Sequence, residues 1–332
     1  MAGQPYVQTV RGPVPASELG RVLPHEHVVC DLVKAEDPTL DASEDAVADL
    51  QAFRAAGGAS LIDCTSGGLG RNPGLLRAVS EQTGVHIVMG CGWYRESFYA
   101  EDMNKVGVNE LTERLLADIA TGVHGIRPGV IGEIGADHSW LSCAEERVLR
   151  ACARAQRETG LGLVLHAVKC DVSRWQLDVL EEEGVDLRRV AVAHLDMYPY
   201  LDYHEQVARR GAMVSYDRNG PRNPFQQRRR IRHIVEMVER GWASRLLLSH
   251  DVCLPGDRAR AGGPGFAYLL THVVPDLRAA GVPDPVIDSI LTDNPVRLLV
   301  GEKERSAWPS SSPAVMTASA SSPSTAPRSA TR

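Results

Sequence analysis

Six side chains of metal-ligating type stand in or at the ends of short apolar runs. His25 and His27 close RVLPHEHV (21–28), and Glu133 lies in GVIGEIG (129–135). His166 ends LGLVLH (161–166), His194 ends VAVAH (190–194) and Asp251 ends RLLLSHD (245–251). Imidazole and carboxylate together are the donor set of zinc and of several other divalent ions. His25 and His27 are spaced i, i+2, so on a strand they share one face while Glu26 points the other way; His250 likewise turns away from Asp251. Each residue alone has a plainer explanation: a hydrogen-bonded core histidine, a carboxylate paired with an arginine, a helix cap. Gathered in one volume, two carboxylates and four imidazoles are costly to bury uncompensated, and a cation is the simplest compensation. Six protein ligands suit two divalent ions sharing one carboxylate. Such a pair ionises a bridging water at neutral pH and sets the hydroxide against a carbonyl carbon or a phosphorus atom.

That gathering requires particular elements. Besides the five runs above, ASLIDC (59–64), VHIVMG (85–90) and AMVSYD (212–217) read as strands, making eight. Most are continuously apolar, as parallel strands covered on both faces must be. Between them lie amphipathic stretches such as 41–58 and 142–160. The latter opens with Ser142 three residues before Glu145, a capping-box spacing, and stops at Gly160. Eight strands alternating with helices predict an α/β fold, a (β/α)8 TIM barrel spanning residues 1–302, whose strand C-termini converge on one face. An open doubly wound sheet is the alternative, but no G-x-G-x-x-G and no Walker motif accompanies it.

Composition bounds the rest. Of 332 residues 43% are hydrophobic and 23% charged, which excludes a wholly disordered or collagenous chain. The net charge of −6 gives no basic footprint for nucleic acid, so RRRIRH (228–233) is expected on a solvated helix face. No run approaches the ~18 apolar residues of a membrane span. The N-terminus lacks a signal-peptide pattern, and the seven cysteines include no C-x-x-C pair; free thiols and a cytoplasmic location are expected. From Ser306 to Arg332, 22 of 27 residues are Ser, Ala, Pro or Thr, so 303–332 is expected to be a disordered tail.

The motifs VRGPVPASELGRVLPHEH, LIDCTSGGLGRNP, MGCGWY, GVIGEIG, LVLH, VAHLD, LLLSHDVC and TDNPVRLL occur in the order seen in the phosphotriesterase family of the amidohydrolase superfamily. The resemblance covers roughly residues 7–300. It implies that His25, His27 and Asp251 hold a more buried metal and His166 and His194 a more exposed one. The bridging carboxylate falls on Glu133, as in the phosphotriesterase-related branch, where better-known members use a carboxylated lysine; Lys169 does not match that position. Tyr94 and Arg218 resemble residues of the substrate pocket, with Trp93 and Arg95 as secondary candidates. The loop 253–266 is placed to cover the site, and Asp196 to support it from behind.

The implied activity is hydrolysis of an ester or lactone, with weak phosphotriesterase action as an extension. Asp251 would be the catalytic proton acceptor. Amide or other C–N cleavage on the same site, a mononuclear deaminase-like enzyme and a non-catalytic metal-binding barrel are the alternatives. The expected cofactors are two divalent ions, zinc first and manganese, cobalt, nickel or iron after it. The expected partners are a small-molecule substrate and a second copy of the chain in a homodimer, with neither nucleic acid nor membrane.

Overall fold

In the computed structural model, residues 5–301 are described, apart from 36, 42, 43 and 169. The expected tail, 303–332, and Lys169 lie outside the described residues. Eight strands form one sheet: β3 Arg21–Glu26, β4 Gly58–Asp63, β5 His86–Cys91, β6 Val130–Ile134, β7 Gly162–His166, β8 Val190–Ala193, β9 Met213–Tyr216 and β10 Leu246–Leu248. They are preceded by a hairpin, β1 Tyr6–Thr9 and β2 Gly12–Pro15. The helices are α1 Glu44–Ala55, α2 Pro73–Thr83, α3 Val108–Thr121, α4 Cys143–Thr159, α5 Ser173–Glu182, α6 Leu201–Arg209, α7 Pro224–Glu239, α8 Val274–Ala279, α9 Asp284–Leu291 and α10 Asp293–Val300.

The strands pair in sequence order from β3 to β10, every pair parallel. This is the barrel, and the doubly wound alternative is gone. The last seam, between β10 and β3, closes beyond the regular ladder, where Asp251 N–H donates to His25 C=O and His27 N–H to Val252 C=O, both at 3.2 Å. α4 begins as its sequence requires: Ser142 Oγ accepts from Glu145 N–H while the Glu145 carboxylate accepts from Ser142 N–H, and Gly160 ends the helix at φ 69°.

Two apolar clusters show which way each strand residue faces. Val22, Ile62, Val88, Val130, Val164, Ala191, Met213 and Leu247 belong to one, inside the barrel. Leu23, Leu61, Ile87, Ile131, Leu163, Val192, Val214 and Leu246, their chain neighbours, belong to the other, under the helices. Val7, Ala16, Leu19, Leu298 and Leu299 join the interior cluster, so the hairpin side of the chain and α10 cap the barrel floor. Burial of this kind contributes roughly 1.5–3 kcal/mol per large apolar side chain. All seven cysteines are free; Cys30, Cys64, Cys91 and Cys152 are buried.

Candidate metal centre

Interior alternation delivers two of the expected ligands directly. Val164 faces inward, so His166 two residues on does too; Leu247 likewise sets Ser249 and then Asp251. Strict alternation would send the other strand-end residues outward. Val22 is interior and Leu23 is not, yet His25 reaches the interior, because the β3–β4 register shifts between Leu23 and Glu26. Glu133 enters the same way, across a register shift between Ile131 and Ile134 on β6. Only glycine fits at the head of that shift: Gly132 has φ 127°, and a Cβ there would lie 2.5 Å from Val164 O. His194 is turned in by a left-handed backbone, φ 63°, and Asp251 has φ 53°.

The side chains converge. The Nε2 atom of His25 lies 3.5 Å from Glu133 Oε1 and 3.7 Å from Asp251 Oδ1. That of His27 lies 3.3 Å from Asp251 Oδ1. Glu133 Oε1 is 2.6 Å from His166 Nδ1 and 2.9 Å from His194 Nε2, and those two nitrogens are 3.0 Å apart. Two donor groups lie within ion-binding reach, His25–His27–Asp251 and His25–Glu133–His194. His166 completes neither group but shares the Glu133 oxygen with His194. All six residues are buried.

The imidazoles are oriented from behind. Thr65 Oγ1 donates to Val29 C=O and so accepts from His27 Nδ1–H at 2.9 Å, leaving the His27 Nε2 lone pair to the centre. Asp217 does this for His194 and stands beside His25. Its carboxylate takes His194 N–H at 3.0 Å and His194 Nδ1–H at 2.8 Å, and stands 3.2 Å from His25 Nδ1. Asp217 was not among the expected site residues. Its signal was present, a carboxylate closing the seventh apolar run, AMVSYD.

Electrostatics fit a missing positive charge. Glu133, Asp217 and Asp251 are fully buried carboxylates, and burial alone would raise them; the surrounding imidazoles, and Arg218 for Asp251, hold each below its ordinary range. Burial alone would likewise lower His25, but Glu133 and Asp217 lift it to about 9, and His194 is raised well above its usual value by Asp217 and Glu133. His166 is lowered, by burial first. The negative charge gathered here favours a positive charge at the His25 and His194 positions. The His25 Nε2 atom, buried between two carboxylates, has no hydrogen-bond partner. An orphaned donor atom in a nest of imidazole and carboxylate groups fits divalent metal, and these residues are candidate metal-binding groups.

Around the centre, Tyr94 Oη lies 3.3 Å from His166 Nε2, and burial pushes its phenol well up, so it stays a protonated donor. Arg218 Nη1 is 2.5 Å from Asp251 Oδ2 and 3.6 Å from Cys253 Sγ. Trp93 packs half-buried against the outer cluster. Asp196, within electrostatic reach of Asp217 and His194, is buried in an ion pair with Arg230. That pair corrects the expectation for RRRIRH: Arg228 and Arg232 are exposed on α7, but Arg230 turns inward because Asp196 is there to receive it. Glu26, past the register shift on β3, and His250 face away from the centre and bind each other at 2.8 Å.

The family model described as Phosphotriesterase family matches residues 5–299. An N-acetyltaurine hydrolase of Rattus norvegicus is 32% identical, the match covering 88% of this chain and 97% of the relative. The phosphotriesterase homology protein of Escherichia coli, solved with phosphate in its active site, superposes with a TM-score of 0.81 at 30% identity, covering 85% of this chain and 99% of that one. A mutant organophosphorus hydrolase of Deinococcus radiodurans gives a TM-score of 0.77 at 30% identity, covering 90% and 98%. A lactonase of Listeria monocytogenes shares the fold, with a TM-score of 0.83 at 24% identity, over 90% of this chain and all of that one.

Proposed function

The chain belongs to the phosphotriesterase family of metal-dependent hydrolases, and from that premise we propose that it cleaves the acyl bond of a small N-acyl compound, an amide. The observation that carries the amide reading is the near full-length match to N-acetyltaurine hydrolases at about a third identity. The ester and lactone reading stands second, supported by the organophosphorus hydrolase likeness at 30% identity.

On this reading His25, His27 and Asp251 would hold one divalent ion and His166 and His194 a second, with Glu133 as the carboxylate common to both sets. Bound there, the ions supply Lewis acidity and an ionised water at neutral pH. The protein does the rest. Asp217 and Thr65 fix the rings so that His194 and His27 present Nε2. Tyr94 offers a phenol donor beside His166 to an incoming acyl oxygen. Asp251 carries one oxygen toward His27 and the other on Arg218; it takes the proton of the attacking water and returns it to the leaving nitrogen, which departs as an amine. The loop 253–266 lies over this end of the barrel. Its Arg258 is anchored on Val28 C=O at 2.7 Å, which holds the loop to the first strand's extension.

Zinc is the first metal on this reading, a homodimer the assembly and the cytoplasm the compartment, in keeping with the donor set, the commonest closed symmetry and seven unpaired thiols. Among the described residues no helix is long and apolar enough to cross a membrane. The test is metal analysis of protein purified without chelator, followed by a panel of N-acyl amino compounds, lactones, aryl esters and phosphotriesters. About two metal equivalents and preference for the N-acyl compounds are expected. Preference for esters or triesters with the same metal content would displace the amide reading in favour of the second; absence of metal would remove both.

A further inference from the structure

Beside the centre sits a guanidinium without a full set of partners. Arg95 follows β5 by four residues, at the end of the barrel where the ligands converge. Its guanidinium carbon lies 5.1 Å from the Tyr94 ring centroid and 4.9 Å from that of Phe98, so two aromatic rings hold it. Its one ionic neighbour is Asp137, 3.3 Å from Arg95 Nε, without hydrogen-bond alignment. Asp137 is already served: Ser97 N–H and Ser97 Oγ–H each donate to it at 2.8 Å. The terminal nitrogens of Arg95 have no hydrogen-bond partner among the described residues, and the side chain is 20% exposed.

The Arg95 support is built. Glu145, the capping residue of α4, accepts from Asp137 N–H at 2.7 Å and faces Glu96 N–H at 3.4 Å, so the loops after β5 and β6 are tied together beneath the guanidinium. Only the Tyr94 ring separates Arg95 from His166, whose ring centroid is 5.0 Å from that of Tyr94. Arg218, by contrast, is committed to Asp251 and Cys253. A cation fixed on aromatic faces, with its donors left free at the rim of a catalytic centre, is shaped for an oxyanion.

We propose that Arg95 binds an anionic group, a carboxylate or sulfonate, at the end of the substrate remote from the scissile bond. This rests on the reading of the chain as an acyl hydrolase and narrows its substrates to N-acylated amino acids and aminoalkane sulfonates. Arg95 supplies a fixed positive charge for such a molecule on the Tyr94 side of the centre.

The test uses metal-loaded full-length enzyme, with R95M and R95K. Three amides of equal chain length are compared: an N-acetyl aminoalkane sulfonate, its carboxylate counterpart and a neutral N-acetyl alkylamine. In R95M, KM for the anionic amides rises about ten- to a hundredfold relative to KM for the neutral one, the loss of a charge-assisted contact; R95K recovers part of it. The sulfonate and carboxylate arms show which anion Arg95 favours. Calorimetry with propanesulfonate and propionate gives a readout independent of turnover, with weaker binding to R95M. Equal KM changes for all three amides would mean that Arg95 only supports Tyr94, and unchanged anion binding in R95M would equally overturn the proposal. Loss of anion binding in R95M without turnover of any amide would keep Arg95 as an anion site while removing the acyl-hydrolase reading.

Discussion

Two clusters of the same residue types sit a few positions apart at the same end of the barrel. In one, Glu26 Oε1 accepts from Ser249 Oγ–H, His250 N–H and His250 Nδ1–H, and Oε2 accepts from Val252 N–H. The remaining ring nitrogen, His250 Nε2, accepts from Leu269 N–H at 2.8 Å. Every valence is met within the protein. In the other, His25 Nε2 is unpartnered and one oxygen of Glu133 is shared by two imidazoles. Burial and composition do not separate these clusters. The count of satisfied donors and acceptors does: the first is saturated within the protein, and the second is the candidate metal-binding group.

The largest expected effect lies at the open cluster. Asp251→Asn should lower kcat by about 10²–10⁴-fold while keeping much of the metal. Steady-state rates with metal content measured on the same sample check this, and equal turnover would remove Asp251 from proton transfer. Next is a second closed site, His204, whose Nδ1 accepts from Tyr216 Oη–H and whose Nε2–H donates to Tyr198 C=O. Burial lowers its pKa to about 4. The unfolded chain therefore binds the proton first, so stability is full above about pH 6.5 and falls toward pH 4, by about 3 kcal/mol from this residue. Urea unfolding of wild type and H204Q at pH 7 and 4.5 should show the variant with the shallower acid loss. Parallel acid losses would mean that His204 is not closed.

A paired experiment bears on the comparison itself. Glu26→Gln places an amide among N–H donors and should cost about 1–3 kcal/mol in urea unfolding, with metal affinity retained. Asp217→Asn should weaken metal affinity about 10–100-fold in chelator competition. If the two variants exchanged phenotypes, the division between closed and open clusters would collapse. The smallest expected effect is none: bicarbonate added during metal reconstitution should leave activity unchanged, because Glu133 is a carboxylate as synthesised. A marked rise would move the bridging position away from Glu133.

Much of this was legible in the chain. Each of the eight apolar runs overlaps a barrel strand, two of them displaced by one residue, and the Ser142–Glu145 spacing marks a true capping box because that signal is local. The hairpin Tyr6–Pro15 was not foreseen; four-residue strands with two prolines carry little alternation. The six candidate ligands could be picked out by type and place, but the route by which four of them come together was hidden. Simple alternation turns His25, His27, Glu133 and His194 away from the centre. Two register shifts and one left-handed residue reverse that, and such irregularities leave little mark on a hydrophobicity pattern. Asp217 and Arg230 escaped for a related reason: each has its role through a partner distant in sequence, His25 for one and Asp196 for the other.

The seam between β3 and β10 carries a consequence for how the protein assembles. Glu26 and the Val252 N–H it receives are 226 positions apart, and they are joined where the chain's first and last barrel strands meet. Loop closure of that length adds only slowly to the entropic cost, but it needs both ends folded. His25 and His27 stand on one lip of the seam and Asp251 on the other. A growing or truncated barrel that ends before β10 lacks one side of the ion-binding group, whatever the state of its other strands. The candidate ion-binding group is thereby completed only by ring closure.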